Sequence, residues 1–279
     1  RPGAHALQVT TVSAQKLTSG LLRLMNSQAS TVYFLTGHGE YSPDETGEQG
    51  FSSVKRLLES KNYAVSTLSL LTQTAVPEDA STLVIAGPQA PLTQAEVDLL
   101  SAFQAAGGGL VVLYEPQVDP ASTQGADDPL AAYLTTTWGV SLGADVVVDP
   151  TSNQPFAPYA ASYGEHAITQ QMNRMTAQFP TARSLTLSEV ASGAGQTPLV
   201  LTANQAWAET NLAGLTTGSG EVQFDEGADN PGPVTLAAAA ENFDSQARLV
   251  IFGDADFPSD ANFLVYGNGD LFVNSVDWS

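Results

Sequence analysis

The succession of apolar runs and helical periods between Val32 and Tyr114 constrains this chain more than any other feature. Val32-Tyr-Phe-Leu-Thr36 is a β-branched and aromatic run that stops at a glycine-flanked His38 and Glu40. After a turn containing Pro43, residues 47–61 carry Phe51, Val54, Leu57 and Leu58 at helical spacing. Residues 63–68 read as a second strand, and Thr82-Leu-Val-Ile-Ala86 as a buried one ending at Gly87-Pro88. Thr93 with Glu96 three residues on has the form of a capping box. Ala95, Leu99, Ala102, Phe103 and Ala106 mark the expected inward face of the helix that follows. Gly107-Gly-Gly109 ends that helix, and Leu110–Tyr114 is the next strand. A leading helix is expected over 12–26, from Leu17, Leu21, Leu22, Leu24 and Met25. Strands alternating with helices predict an α/β fold built on a mostly parallel, doubly wound sheet.

After Asp149 the texture changes. Residues 150–235 are rich in Thr, Ser, Gly, Pro, Ala and Gln, with weak strand signals near 183–188, 198–202 and 221–224. The expected organisation is a main α/β core over 1–149 and a smaller inserted or appended lobe over 150–235. Residues 236–279 then return to the core with an apolar strand, Arg248–Phe252, and a closing helix around Asp270–Trp278.

Charge excludes whole classes of function. Nine Lys plus Arg against 29 Asp plus Glu give a net charge of −20, and no Lys or Arg occurs between Asn62 and Asn173. Nucleic-acid binding needs cations to displace counterions, and adsorption to anionic lipid is disfavoured by the same sign. Cysteine is absent, which removes thiolate nucleophiles, disulfides and thiolate metal sites together. No run reaches the about 18 apolar residues of a spanning helix, and no cofactor-binding motif of the P-loop or Gly-x-Gly-x-x-Gly kind follows a strand. No cofactor is expected.

Three constellations remain. Gly139-Val-Ser-Leu-Gly143 matches the hydrolase pattern Gly-x-Ser-x-Gly, with Asp145, Asp149 and His166 downstream. A nucleophile elbow needs a strand before the serine and a helix after it; here the helical segment 130–137 precedes and the strand 146–149 follows, as in an ordinary helix-to-strand turn. His38 and Glu40 flank Gly39 at a strand end, where α/β enzymes place reactive groups. They suit an acid–base pair or half of a metal site; alternatively Gly37 and Gly39 make the turn, and the two side chains hydrogen-bond neighbouring loops. Asp254 and Asp256 follow the strand Arg248–Phe252 at alternate positions and so share a face in extended geometry. They suit a hard cation weakly, or one caps the following helix while the other faces solvent. In a parallel sheet both loops open on the carboxyl edge, so Gly37, His38, Gly39, Glu40, Asp254 and Asp256 form the candidate binding site.

Thr36-Gly-His-Gly-Glu40, Gly253-Asp-Ala-Asp-Phe257 and Asn268-Gly-Asp-Leu-Phe-Val-Asn-Ser-Val-Asp-Trp278 together resemble the pattern of the auxiliary, extracytoplasmic domain family of ABC-type transport systems linked to gliding motility. The resemblance covers nearly the whole chain and implies a fold like class I glutamine amidotransferases, which is flavodoxin-like, and like a domain of an intraflagellar transport protein. Amidotransferases use a cysteine, which this chain lacks. The implied function is a non-enzymatic accessory domain outside the cytoplasm, binding protein or glycan and partnered by a permease and a separate ATPase chain. The resemblance also implies membrane-spanning segments outside this chain, one of them expected just after Ser279. The alternative is a hydrolase of carbohydrate or peptide, with His38 and Glu40 as its catalytic residues.

Overall fold

The computed structural model describes residues 30–118, 127–190, 193–217 and 222–279; His5 and the helix expected over 12–26 lie outside them. In chain order, β1 (Thr31–Leu35), α1 (Ser52–Ser60), β2 (Ala64–Leu68), β3 (Ala80–Ala86), α2 (Gln94–Ala105), β4 (Gly109–Leu113) and α3 (Pro129–Trp138) come first. Short strands follow: β5 (Val140–Leu142), β6 (Val146–Val148), β7 (Ser162–Tyr163), β8 (Leu185–Leu187), β9 (Gly195–Leu201) and β10 (Trp207–Glu209). The last elements are α4 (Leu212–Thr217), β11 (Asn230–Pro231), β12 (Thr235–Glu241), β13 (Arg248–Phe252) and α5 (Asn268–Trp278).

Five strands run parallel in the order β2-β1-β3-β4-β13. Beyond β13 the same sheet turns antiparallel through β12, which pairs with both β9 and β8, and β8 with β5. Much of the polar 150–235 stretch therefore extends the main sheet, while β6, β10 and β11 form a small sheet of their own. The helical segment and glycine before Ser141 resolve as α3 capped by a left-handed Gly139 (φ 69°), and β5 follows directly.

Period-2 alternation along the parallel strands builds two cores. Val32, Phe34, Val84, Val111, Val250 and Phe252 face α1 and α5, where Phe51, Val54, Leu58, Phe272 and Val276 complete one buried cluster. Leu35, Leu83, Ile85, Leu110, Val112 and Ile251 face α2 and α3, against Val97, Leu100, Leu130 and Leu134. Helices thus cover both faces, as a parallel sheet requires.

Three local expectations are corrected. The helix expected over 47–61 begins at Ser52, because Gly47–Gly50 makes a tight turn; a Cβ on Gly50 would sit 2.2 Å from the Glu45 carbonyl oxygen. No strand occurs at 222–224. The inward face of α2 is Glu96, Val97, Leu100 and Gln104, whereas Ala95, Ala102 and Ala106 are exposed. Two polar residues occupy positions where apolar ones were sought, since each has buried partners. Gln104 accepts from the Tyr133 hydroxyl (2.8 Å) and Trp138 Nε1 (3.2 Å). Leu99 and Phe103 instead line a groove of about 640 Å³ at the amino-terminal edge of the sheet.

The α5 helix is locked to the rest by Asn268, which is fully buried. Its amide oxygen accepts from Gln178 N–H (2.9 Å), and Nδ2 donates to the carbonyls of Phe257 (2.9 Å), Gln178 (3.1 Å) and Asn262 (3.2 Å). Asn274 similarly donates to the Ile168 carbonyl (3.2 Å). Helix α1 has no side-chain cap of its own; Asp260, from the loop after β13, accepts from Ser53 N–H and Ser52 Oγ, both at 2.7 Å. Asn268→Ala strands a buried N–H and three carbonyls and is expected to cost on the order of 2–3 kcal/mol. Asp260→Ala removes only a cap and is expected to cost about 1 kcal/mol. Chemical denaturation of the two variants checks the order; an Asn268→Ala variant as stable as the parent would overturn this account of α5.

Candidate functional site

The β1–β3 boundary is where the strand order reverses, and open α/β sheets bind ligands in the crevice beyond the carboxyl ends of such strands. Here the chain's own loop fills that crevice. After β1, the backbone turns through Gly37 (φ 129°) and Gly39 (φ 82°) and crosses towards the end of β3. The His38 carbonyl accepts from Gln89 N–H (2.7 Å) and Ala90 N–H (3.1 Å), and Tyr41 N–H donates to the Ala86 carbonyl (2.8 Å). Gly39 is needed twice over: its φ is left-handed, and a Cβ there would press on Gln89 Cβ at 3.0 Å.

The His38 side chain is 7% exposed and lies between two carboxylates. Nδ1 is 3.3 Å from Glu40 Oε1, and Nε2 is 3.2 Å from Glu96 Oε2. The Glu40 side chain is 0% exposed, that of Glu96 3%. Glu40 Oε2 also accepts from the His38 backbone N–H (2.7 Å), curling the loop on itself. Glu96 Oε2 accepts in addition from Thr93 N–H (2.9 Å) and Thr93 Oγ1 (2.8 Å). The capping box of α2 is thereby also the clamp on the histidine.

A second cluster sits beside the first, at the ends of β4 and β13. Glu115 Oε1 accepts from the backbone N–H groups of Ala255 and Asp256, the latter at 3.2 Å. Asp254 is fully buried, and its Oδ1 accepts from Asp256 N–H (2.6 Å) and Phe257 N–H (3.0 Å). Asp256 Oδ1 accepts from the Tyr41 hydroxyl (2.9 Å), and burial beside Asp256 pushes that phenol's pKa up. Burial, then the Asp256 carboxylate, raises Glu115 to about 8. Burial, followed by Glu115 and Asp256, also raises Asp254. One guanidinium approaches: Arg183 stacks on the Tyr114 ring at 5.7 Å and donates to the carbonyls of Gly143 (2.7 Å from Nε) and Glu115 (3.1 Å). Burial lowers the pKa of Arg183.

The candidate residues therefore gather on one edge as two adjoining clusters. His38 and Glu40 belong to the first, Asp254 and Asp256 to the second, and Tyr41 links them. Of the two aspartates, Asp254 ties the turn after β13, and Asp256 is bound by Tyr41; neither caps α5, whose first turn holds Asp270. Among the described residues no group of three or more His, Asp or Glu side chains has a metal-holding arrangement. His166 lies away from Ser141, packed edge-on to Trp278 with ring centres 4.6 Å apart, while Ser141 Oγ donates to Thr135 Oγ1 (3.3 Å). Glu96, Tyr41, Glu115 and Arg183 are the site residues that sequence reasoning missed. Glu96 carried a signal as the capping-box acid; Glu115, directly after a strand, carried the positional one.

The sequence profile described as "ABC-type uncharacterized transport system" matches residues 29–276. A comparison with curated proteins gives no match. Among solved structures, an mmIFT52 N-terminal domain superposes with a TM-score of 0.65 at 16% identity, over 88% of this chain and 96% of that one. This supports the fold alone. A putative ThuA-like protein from Parabacteroides merdae ATCC 43184 gives 0.49 at 10% identity, covering 90% of each chain. A β-galactosidase from Rahnella sp. R3 gives 0.47 at 14% identity, over 90% of this chain but 31% of the enzyme. With three motif stretches, the parallel core and a profile match that spans nearly all of it, the chain belongs to the auxiliary family of ABC-type uncharacterized transport systems.

Proposed function

We propose that this chain is a non-enzymatic accessory domain of a membrane ABC-type transport or surface-motility complex. It is held outside the cytoplasm by segments beyond this chain and docks a permease or a protein or glycan ligand. The ATPase of such a complex is a separate chain. One observation carries the non-enzymatic reading: the reactive groups at the switch point are spent on each other. His38 meets Glu40 and Glu96, all three are buried, and the loop's backbone seals the space between the ends of β1 and β3. A hydrolase needs its acid and base within reach of a substrate, and these face inward. The strand order β2-β1-β3-β4-β13 fits the amidotransferase-like, flavodoxin-like arrangement, without the cysteine that amidotransferase chemistry uses.

Replacing His38 by Ala leaves two buried carboxylates without their partner. Stability is expected to fall by at least about 2 kcal/mol, which for a chain of this size lowers the melting temperature by roughly 4–8 °C. Neither parent nor variant is expected to turn over chromogenic glycosides or peptides. Turnover by the parent that disappears in His38→Ala at unchanged melting temperature would establish the hydrolase instead.

The absence of cysteine makes the placement testable. Leu264 is 89% exposed, so Leu264→Cys in the full-length protein, with any cysteine outside this domain replaced by serine, gives a single reporter thiol. A membrane-impermeant maleimide is expected to label it in osmotically stabilised cells stripped of their outer layers. Labelling only after lysis would refute an extracytoplasmic domain. Affinity purification of the same protein from detergent-solubilised membranes is expected to bring down an ABC permease and its ATPase; recovery of the tagged chain without transporter subunits would refute the accessory role.

A further inference from the structure

The acid cluster at the ends of β4 and β13 is short of donors. Asp254 is 0% exposed; its Oδ1 is satisfied by two backbone N–H groups, but Oδ2 is buried with no hydrogen-bond partner. The groups facing it come from every neighbouring element. They are Glu115 after β4, Asp256 on its own loop, and Tyr41 from the β1 loop, whose hydroxyl is committed to Asp256. Asp128, the cap of α3, and Asp145 stand further out around Arg183. Arg183 is the one cation among them, and among the described residues its hydrogen bonds go to the carbonyl oxygens of Gly143 and Glu115 rather than to these carboxylates. An ionised carboxylate with a bare, buried oxygen beside two other acids is costly to hold; a protonated one supplies a donor and removes a charge.

We propose that Asp254 and Glu115 form an acid pair that stores one proton inside the carboxyl edge of the sheet, and that losing this proton loosens the β13 loop from the β1 and β3 loops. The contact that would loosen is close. A Cβ built on Gly87, at the end of β3, would lie 3.0 Å from Ala255 Cβ and 3.8 Å from the Tyr41 ring. Ala255 N–H and Asp256 N–H are held by Glu115 itself, and Asp256 is held by Tyr41. A further negative charge inside this turn pushes apart the segments that it ties together. The raised position of Glu115, about 8, agrees with this geometry. Both folded-state shifts are upward, so the stabilisation is fully present below the ordinary carboxylate range and is lost as pH rises through about 8. The inference stands apart from the transport assignment, since it concerns only groups within this chain.

Infrared spectroscopy of the folded protein tests it directly. At about pH 6, where ordinary carboxyls are ionised, the parent is expected to show the carbonyl stretch of a protonated carboxylic acid. The band should disappear on titration past about pH 9 and be absent from Asp254→Asn or Glu115→Gln. No such band in the parent, or a band unchanged in both variants, overturns the proposal; the parent titration decides the first point even if a variant fails to fold. The coupling is read by hydrogen exchange. Peptides spanning 36–41 and 253–257, corrected for intrinsic rates, are expected to exchange faster above about pH 8 in the parent and to lose that step in Asp254→Asn. Exchange that stays flat through the infrared transition would refute the loosening of the loops.

Discussion

A parallel strand cannot be joined to its parallel neighbour by a tight turn; the chain is carried back over a face, by α1 between β1 and β2 and by α2 between β3 and β4. That constraint shapes the rest of the molecule. It puts α1 and α5 on one face and α2 and α3 on the other, so the strands are buried on both sides and their alternate residues divide between two apolar cores. With both faces occupied, polar chemistry has only the edges. The loops after β1, β3, β4 and β13 converge on one of them, and Glu40, Glu96, Glu115, Asp254 and Asp256 all belong to those loops or to the helix that follows one.

Reactive groups at strand ends are usually kept available by a scaffold that satisfies everything else. Here they are the scaffold: His38 ties the β1 loop to the first turn of α2, Glu115 ties the end of β4 to the turn after β13, and Tyr41 joins the two sets. Several cations among the described residues are likewise committed. Lys55 meets Asp44 at 2.6 Å, and Arg248 meets Glu241 at 3.0 Å while covering the Trp278 ring at 4.9 Å. The remaining surface is left strongly negative, which favours a partner presenting Lys and Arg.

The strands were legible because burial on both faces turns each into a near-continuous apolar run: Val32–Leu35, Leu83–Ala86, Leu110–Leu113 and Leu249–Phe252 all occupy the expected places. The glycine-flanked loop and the late Asp-x-Asp were visible by the same logic, as residues that must follow a strand. What stayed hidden was pairing across long separations. Glu96 looked like a helix cap and nothing more, because nothing local shows that His38, far earlier in the chain, leans on it. The face of α2 was misjudged for that reason: hydrophobic periodicity counts Glu96 and Gln104 as outward, while partners from other elements hold them in. The stretch after Asp149 gave weak signals, yet β9 is a long partner of β12; its Gly, Gln, Thr and Pro take their stability from the alanine-rich strand beside them.

The place of β13 in the sheet carries a cost during synthesis. Among the described residues it is the last of this sheet's strands in chain order, yet it lies between β4 and β12. Until Arg248–Phe252 leaves the ribosome, Gly109–Leu113 presents one side of an apolar strand with no neighbour. At about 5–20 residues per second, the intervening chain takes on the order of ten seconds to emerge, and an unpaired apolar strand is a template for the wrong partner throughout that interval. The cores on both faces are equally incomplete, since Phe252, Phe257 and Phe272 all arrive late. A truncation before β13 therefore removes the middle of the sheet rather than trimming its end.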